Sequence, residues 1–236
     1  MLITSLSLPR TGSVWWAHYI QKIYSGSIIL HETFNYMIYR NLDKNGKHVF
    51  SETYRPGYWW LSPDSEYKEI IQVKAERDIS DTELFDRWMK FIRKTDKCVI
   101  CRNHIIPTNE KHLEFIAENS AKVYYTFRED IQQQLASLAI GKHTMEFVVF
   151  SDSRSYQYEK FTSSIISLPI MEDFCTRIAS ANYLIEKYFP DCTRVKYEDM
   201  PFHTITNGMP KKQNLSAFDR LCEEDKNTIR KLVEKL

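Results

Sequence analysis

The chain has 236 residues, 43% of them apolar and 27% charged, proportions of a globular protein that can bury a substantial core in one α/β domain spanning 1–236. Its formal net charge of +1 excludes a general nucleic-acid binder, which would be clearly basic, so any anion site has to be local. No apolar run approaches the length of a membrane span, and the N-terminus enters an apolar segment at once without a basic leader; the expectation is a cytoplasmic protein with neither a nucleic-acid nor a membrane partner.

In chain order, Leu2, Ile3, Leu6 and Leu8 predict a buried strand. It stops at Pro9, and a small polar turn, Arg10-Thr11-Gly12-Ser13, opens an amphipathic helix running to about Tyr24. Strand, tight turn and helix in that order offer free backbone N–H groups and a positive dipole end to an anion. Arg10 adds a formal charge, and Thr11 and Ser13 add hydroxyl donors. The turn therefore reads as a phosphate- or sulfate-binding loop. It is not a Walker A loop, which needs two glycines and a lysine in fixed spacing.

A short apolar stretch, Ser27 to Leu30, comes next. Glu32 to Lys68 is rich in aromatic residues, with Asp43-Lys44-Asn45-Gly46 as a hairpin turn. Residues 81–94 carry a helical pattern, Lys97–Cys101 a buried strand and Asn109–Asn119 a helix. Ala121–Phe127 is a strand and Asp130–Ile140 a helix; a polar stretch at 150–165 reads as a loop or lid. Helix 170–188 ends at Pro190, strand 192–197 follows, and helix 223–235 closes the chain. Alternating strands and helices predict a mostly parallel central sheet with helices on both faces. Ligands of such sheets bind beyond the carboxyl ends of the strands. There the sequence delivers Arg10 to Ser13, then Arg102-Asn103-His104, then Arg128, then Tyr197-Glu198-Asp199.

Five scattered cysteines (Cys98, Cys101, Cys175, Cys192, Cys222) predict reduced thiols. Cys98 and Cys101, followed by His104, have the outline of a zinc knuckle. On a strand, however, residues three apart point to opposite faces, and no second pair follows. No metal site is expected.

Pro9-Arg10-Thr11-Gly12-Ser13-Val14-Trp15 resembles the 5′-phosphosulfate loop of sulfotransferases that use 3′-phosphoadenosine 5′-phosphosulfate (PAPS). Arg128, with Ser137 in the helix after it, resembles the family's clamp on the 3′-phosphate, spaced one residue wider than usual and with Ala136 at the expected place. Lys196-Tyr197-Glu198-Asp199-Met200 is similar to the segment whose tyrosine lies by the adenine, and Trp15 falls where the family's tryptophan stacks on it. Cys101-Arg102-Asn103-His104-Ile105 resembles the cytosolic enzymes' Lys-Thr-His-Leu, with arginine in place of lysine. The late Arg-Lys-Gly of those enzymes is missing; Lys211 and Lys212 are either its substitute or a surface loop.

The resemblance implies a P-loop-containing nucleotide-hydrolase-like sulfotransferase fold. It also implies transfer of a sulfuryl group from PAPS to a hydroxyl or amine of a small-molecule or glycan acceptor, releasing PAP without a metal. Arg10 and Arg102 would stabilise charge, and Thr11, Gly12, Ser13, Val14, Trp15, Arg128, Ser137 and Tyr197 would bind the nucleotide. His104 and Glu32 compete for the role of base. Tyr54, Tyr58, Trp59 and Trp60 read equally as an acceptor pocket or as core. Two rivals stand beside this reading: a nucleotide-dependent kinase with a degenerate P-loop, and a non-catalytic nucleotide-binding protein.

Overall fold

Every residue of β1 (Leu2–Ser7) is buried, because strands pair with it on both sides and helices cover both of its faces. The computed structural model describes residues 1–31, 36–42, 48–54, 86, 89–90, 92–106, 110–144, 160–202 and 216–236, with the backbone alone for 31, 36–42 and 48–54. The elements after β1 are α1 (Ser13–Ile23), β2 (Ile28–His31), β3 (Tyr36–Leu42), β4 (His48–Tyr54) and β5 (Val99–His104). They are followed by α2 (Glu110–Asn119), β6 (Lys122–Phe127), α3 (Ile131–Thr144), α4 (Leu168–Tyr188), β7 (Thr193–Lys196) and α5 (Glu223–Val233). Residues 86–94, where described, are helical.

Five strands form one all-parallel sheet in the order β2-β5-β1-β6-β7. β3 and β4 pair antiparallel as a separate ribbon, with Leu42 opposite His48; the expected hairpin turn at 43–46 lies outside the described residues.

Alternation along the strands sorts the core into two layers. Ile3, Ile29, Ile100 and Tyr124 pack with Ala17 and Ile20 of α1. Leu2, Leu6, Leu30, Val99, Cys101 and Tyr125 face the other way, onto apolar residues of α2, α3, α4 and α5. Helices therefore lie on both faces, as the alternation of elements predicts. Cys98 and Cys101 part company for the same reason, one against each layer.

β5 differs from expectation. It runs on through Arg102, Asn103 and His104, which are part of the strand and not a turn beyond it. Polar side chains persist there because neighbours answer them: Asn103 Nδ2 donates to Cys101 Sγ, and Arg102 and His104 reach Ser13 and Ser7.

The chain leaves β1 toward β2 on one side of the sheet, and later crosses β1 to build β6 and β7 on the other. The strand order therefore reverses between β1 and β6, and the carboxyl ends at such a reversal are where sheets of this kind bind ligands. Two predicted segments, the Arg10–Ser13 loop and Arg128, emerge at that place.

Leu6 has no exposed surface and sits in the larger layer. Leu6→Ala should cost about 2–5 kcal/mol of unfolding free energy, read as a lower denaturant midpoint with an unchanged slope.

Candidate functional site

The loop between β1 and α1 turns through two left-handed residues, Arg10 at φ 68 and Gly12 at φ 72. Gly12 serves as the N-cap of α1 with no side chain capping the helix, while its carbonyl accepts the first helical hydrogen bond from Trp16 N–H at 2.9 Å. Glycine is required at 12 twice over. Its φ lies in the left-handed region that glycine adopts at no steric cost, and a Cβ there would lie 2.8 Å from Tyr197 Cδ2 and 3.0 Å from Met200 Sδ.

The rest of the loop is tied from below and from the side. Thr11 Oγ1 donates to Leu8 O at 2.8 Å and lies 3.1 Å from Thr126 Oγ1. Two residues one turn apart on α3 hold its other end: Gln134 Nε2 donates to Pro9 O at 2.9 Å, and Ser137 Oγ accepts from Arg10 Nε at 2.8 Å. Ser137 thus meets the loop arginine, whereas the sequence pairs it with Arg128. Val14 is half-buried in the first turn of α1.

The sheet face toward α1 changes character along its length. Ile3 and Ile100 are register partners in the apolar layer; next come Ser5 opposite Arg102, then Ser7 opposite His104. Arg102 is only 4% exposed, so it is no solvated surface charge, and its Nη1 donates to Ser13 Oγ at 2.9 Å. Its charge also lies near His18 of α1, whose pKa burial lowers and Arg102 lowers further. Ser7 Oγ lies 3.2 Å from His104 Nδ1. Arg10, Arg102, Ser13 and His104 therefore come from three elements, β1's loop, α1 and β5, that share one edge of the sheet.

Arg128 lies on the other flank. Its guanidinium stands 4.4 Å from the centre of the Tyr197 ring, and its Nε is buried without a hydrogen bond, 3.7 Å from a Glu198 carboxylate oxygen. Glu198 also accepts from the backbone N–H groups of Glu129 and Asp130, each at 3.3 Å. A carboxylate of the chain itself thus sits where the start of α3 and Arg128 favour an anion. Burial raises the Tyr197 pKa, while the positive charges of Arg128 and Arg10 oppose the rise. Trp15 is 2% exposed; its ring stacks on Tyr19 at 5.1 Å and tilts against Phe202 at 4.9 Å. In this arrangement the indole meets protein and not a base.

Sequence reasoning passes over Ser7, Thr126 and Gln134, and gives Glu198 no role of its own. The first three were hidden because a polar residue inside a strand or helix carries no local motif. Glu198 is placed at the strand end by the sequence, but nothing there shows that its carboxylate answers Arg128. Glu32, Tyr58, Trp59, Trp60, Lys211 and Lys212 lie outside the described residues, and Tyr54 is described by its backbone alone. Among the described residues no group of three or more His, Cys, Asp and Glu could hold a metal ion, and no described helix is long and apolar enough to cross a membrane.

The parts fit an oxyanion at the loop: helix N–H groups without a side-chain cap, the Ser13 hydroxyl, and two arginines. No family model matches the chain, and no curated protein is significantly similar to it.

Gly12→Ala should destabilise the fold by about 1–3 kcal/mol, because it adds a Cβ in left-handed backbone against Tyr197. Denaturant unfolding measures the loss. A substitution costing less than a few tenths of a kcal/mol would mean that Tyr197 does not pack on the loop.

Proposed function

We propose that the chain is a PAPS-dependent sulfotransferase acting on a hydroxyl or amine of a small-molecule or glycan acceptor. One observation carries the reading: a glycine-turned loop at the strand-order reversal, whose uncapped helix start lies beside Arg10 and Arg102. Helix amides and two guanidiniums are suited to a group that carries charge on both the phosphate and the sulfate of a phosphosulfate.

PAPS supplies the activated sulfuryl group. The chain's part is to position that group and to stabilise the charge that develops as its bond breaks. Arg10 is the residue assigned to the bridging oxygen, with its guanidinium oriented by Ser137. Arg102 is assigned to the transferred group from the β5 side, oriented by Ser13. His104 is assigned the acceptor's proton, since an imidazole titrates near neutrality without special tuning. Arg128 is assigned the 3′-phosphate. Glu198 holds that place now, so binding there requires its carboxylate to give way. Adenine stacking on Trp15 would likewise require Phe202 or Tyr19 to move.

A kinase would place a lysine after the loop glycine, where this chain has Ser13. Thermal shift with PAP, PAPS, ATP, and ATP with Mg²⁺ separates the readings. PAP at about 100 times its Kd should add roughly 2.7 kcal/mol without metal, and ATP much less, because it lacks the 3′-phosphate. Equal shifts from ATP and PAP would overturn the proposal. A non-catalytic binder would bind PAPS and never turn it over with any acceptor in a screen using sulfur-labelled PAPS.

Arg128→Ala should cut PAP affinity about tenfold or more, the scale of a lost charge-assisted contact, while AMP affinity stays within about twofold. Calorimetric titration of both nucleotides against both proteins checks this. An equal loss for the two would make Arg128 a structural residue.

A further inference from the structure

We propose that Glu198 is a specificity-determining residue of the nucleotide site: its carboxylate is an internal competitor for the donors around Arg128, and a phosphate monoester has to displace it to bind there. The proposal rests on the reading of Arg128 as the 3′-phosphate contact only for the nucleotide concerned; the competition itself follows from how Glu198 is held.

Three donors converge on this carboxylate. The backbone N–H of Glu129 donates to Oε2 and that of Asp130 to Oε1, each at 3.3 Å, while Arg128 Nε stands 3.7 Å from Oε1. Charge-assisted N–H···O bonds are normally about 2.7–2.9 Å long, so all three donors are held beyond their normal reach. Arg128 Nε is buried and makes no hydrogen bond at all. A buried donor left in that state costs stability until an acceptor comes to it. The neighbouring carboxylates are engaged elsewhere: that of Glu129 pairs with Lys196 Nζ, and Asp130 Oδ1 accepts from Gln133 N–H at 3.0 Å.

Shape explains the poor fit. A carboxylate offers two oxygens in one plane to three donors, and Oε1 is shared between Asp130 and Arg128. A phosphate monoester offers three oxygens on a tetrahedron, one for each donor, and carries more charge. Glu198 can give way to it. Its side chain is 30% exposed, so it turns readily into water, and a partly exposed ion pair holds it only weakly. The backbone beside it stays where it is, because Tyr197 packs on Gly12 and under the Arg128 guanidinium, and Met200 is buried. The exchange is therefore a side-chain rotation and not the opening of a loop.

The effect is selective among nucleotides. One with a free 3′-hydroxyl leaves Glu198 in place and binds as if the competition did not exist. One with a 3′-phosphate has to displace the carboxylate, and the lost contacts offset part of the new ones. Substrate and product of the proposed reaction both carry that phosphate, so a site that gripped it fully would hold the product as firmly as the substrate. A carboxylate tethered beside the donors acts at high effective concentration and returns as the product leaves. Glu198 therefore sets how tightly, and for how long, a 3′-phosphorylated nucleotide is held.

The test compares the full wild-type chain with Glu198→Gln and Asp199→Asn. Inorganic phosphate is titrated into each and read at the backbone amide signals of Glu129 and Asp130; PAP and AMP are titrated by calorimetry. Asp199→Asn removes the same charge one residue along, from an exposed side chain, and so measures the long-range electrostatic effect alone. Glu198→Gln should bind inorganic phosphate at those amides, and PAP, roughly three- to tenfold more tightly than wild type, the worth of one net hydrogen bond. Its AMP affinity, and every affinity of Asp199→Asn, should stay within about twofold of wild type, as for a screened surface charge. Phosphate that leaves the two amides unmoved in Glu198→Gln overturns the proposal, as does an unchanged or weaker affinity there, or an equal gain in Asp199→Asn. If Glu198→Gln does not fold, the wild type decides by itself: saturating phosphate should move the Glu198 carboxylate carbon signal to that of a solvated glutamate, and an unmoved signal overturns the proposal. Inorganic phosphate involves no nucleotide, so a chain that competes as expected for phosphate and never binds PAP would overturn the sulfotransferase reading while upholding the competition.

Discussion

The approach of Tyr197 to the Cα of Gly12 is the contact on which the rest of the site depends. A Cβ there would lie too close to the Tyr197 ring, so the ring or the loop would have to shift. With glycine there, the last strand of the sheet closes down on the first turn, and Tyr197 carries the Arg128 guanidinium on its face. Three segments far apart in sequence are thereby brought within one side-chain length. Close packing tolerates little change in volume, so the position of Arg128 is set by what is missing at residue 12.

Much of the fold was legible because it follows from periodicity. β1, α1, α2, β6, α3, α4, β7 and α5 all fall within a few residues of where apolar spacing and Pro190 put them. β5 reads too short in the sequence because Arg102-Asn103-His104 looks like a turn when read alone; only pairing with β1 and β2 shows why three polar residues stay extended. The site was legible in part for the same reason. A loop motif announces Arg10, Thr11, Gly12 and Ser13, since they are adjacent. Ser7, Gln134 and Glu198 act through partners some sixty to over a hundred positions away, and no spacing rule reaches that far.

The two layers of the core have different work. The one on α2 to α5 is the larger and carries the bulk of the buried apolar side chains. The layer under α1 is thin, and it turns polar toward the carboxyl edge as Ile3 gives way to Ser5 and Ser7, and Ile100 to Arg102 and His104. A buried polar side chain costs stability unless it is bonded. The larger apolar layer can support a second in which the polar residues meet one another at the carboxyl edge.

Arg10 remains the odd residue of the loop. A left-handed backbone disfavours any residue with a Cβ by about 1–2 kcal/mol, and at φ 68 glycine would relieve that strain. The chain nonetheless carries an arginine there, with its guanidinium steered by Ser137 and its neighbour's carbonyl pinned by Gln134. Strain and chemistry thus fall on one residue: glycine at 10 would relieve the backbone and give up the guanidinium's bond to Ser137 with it.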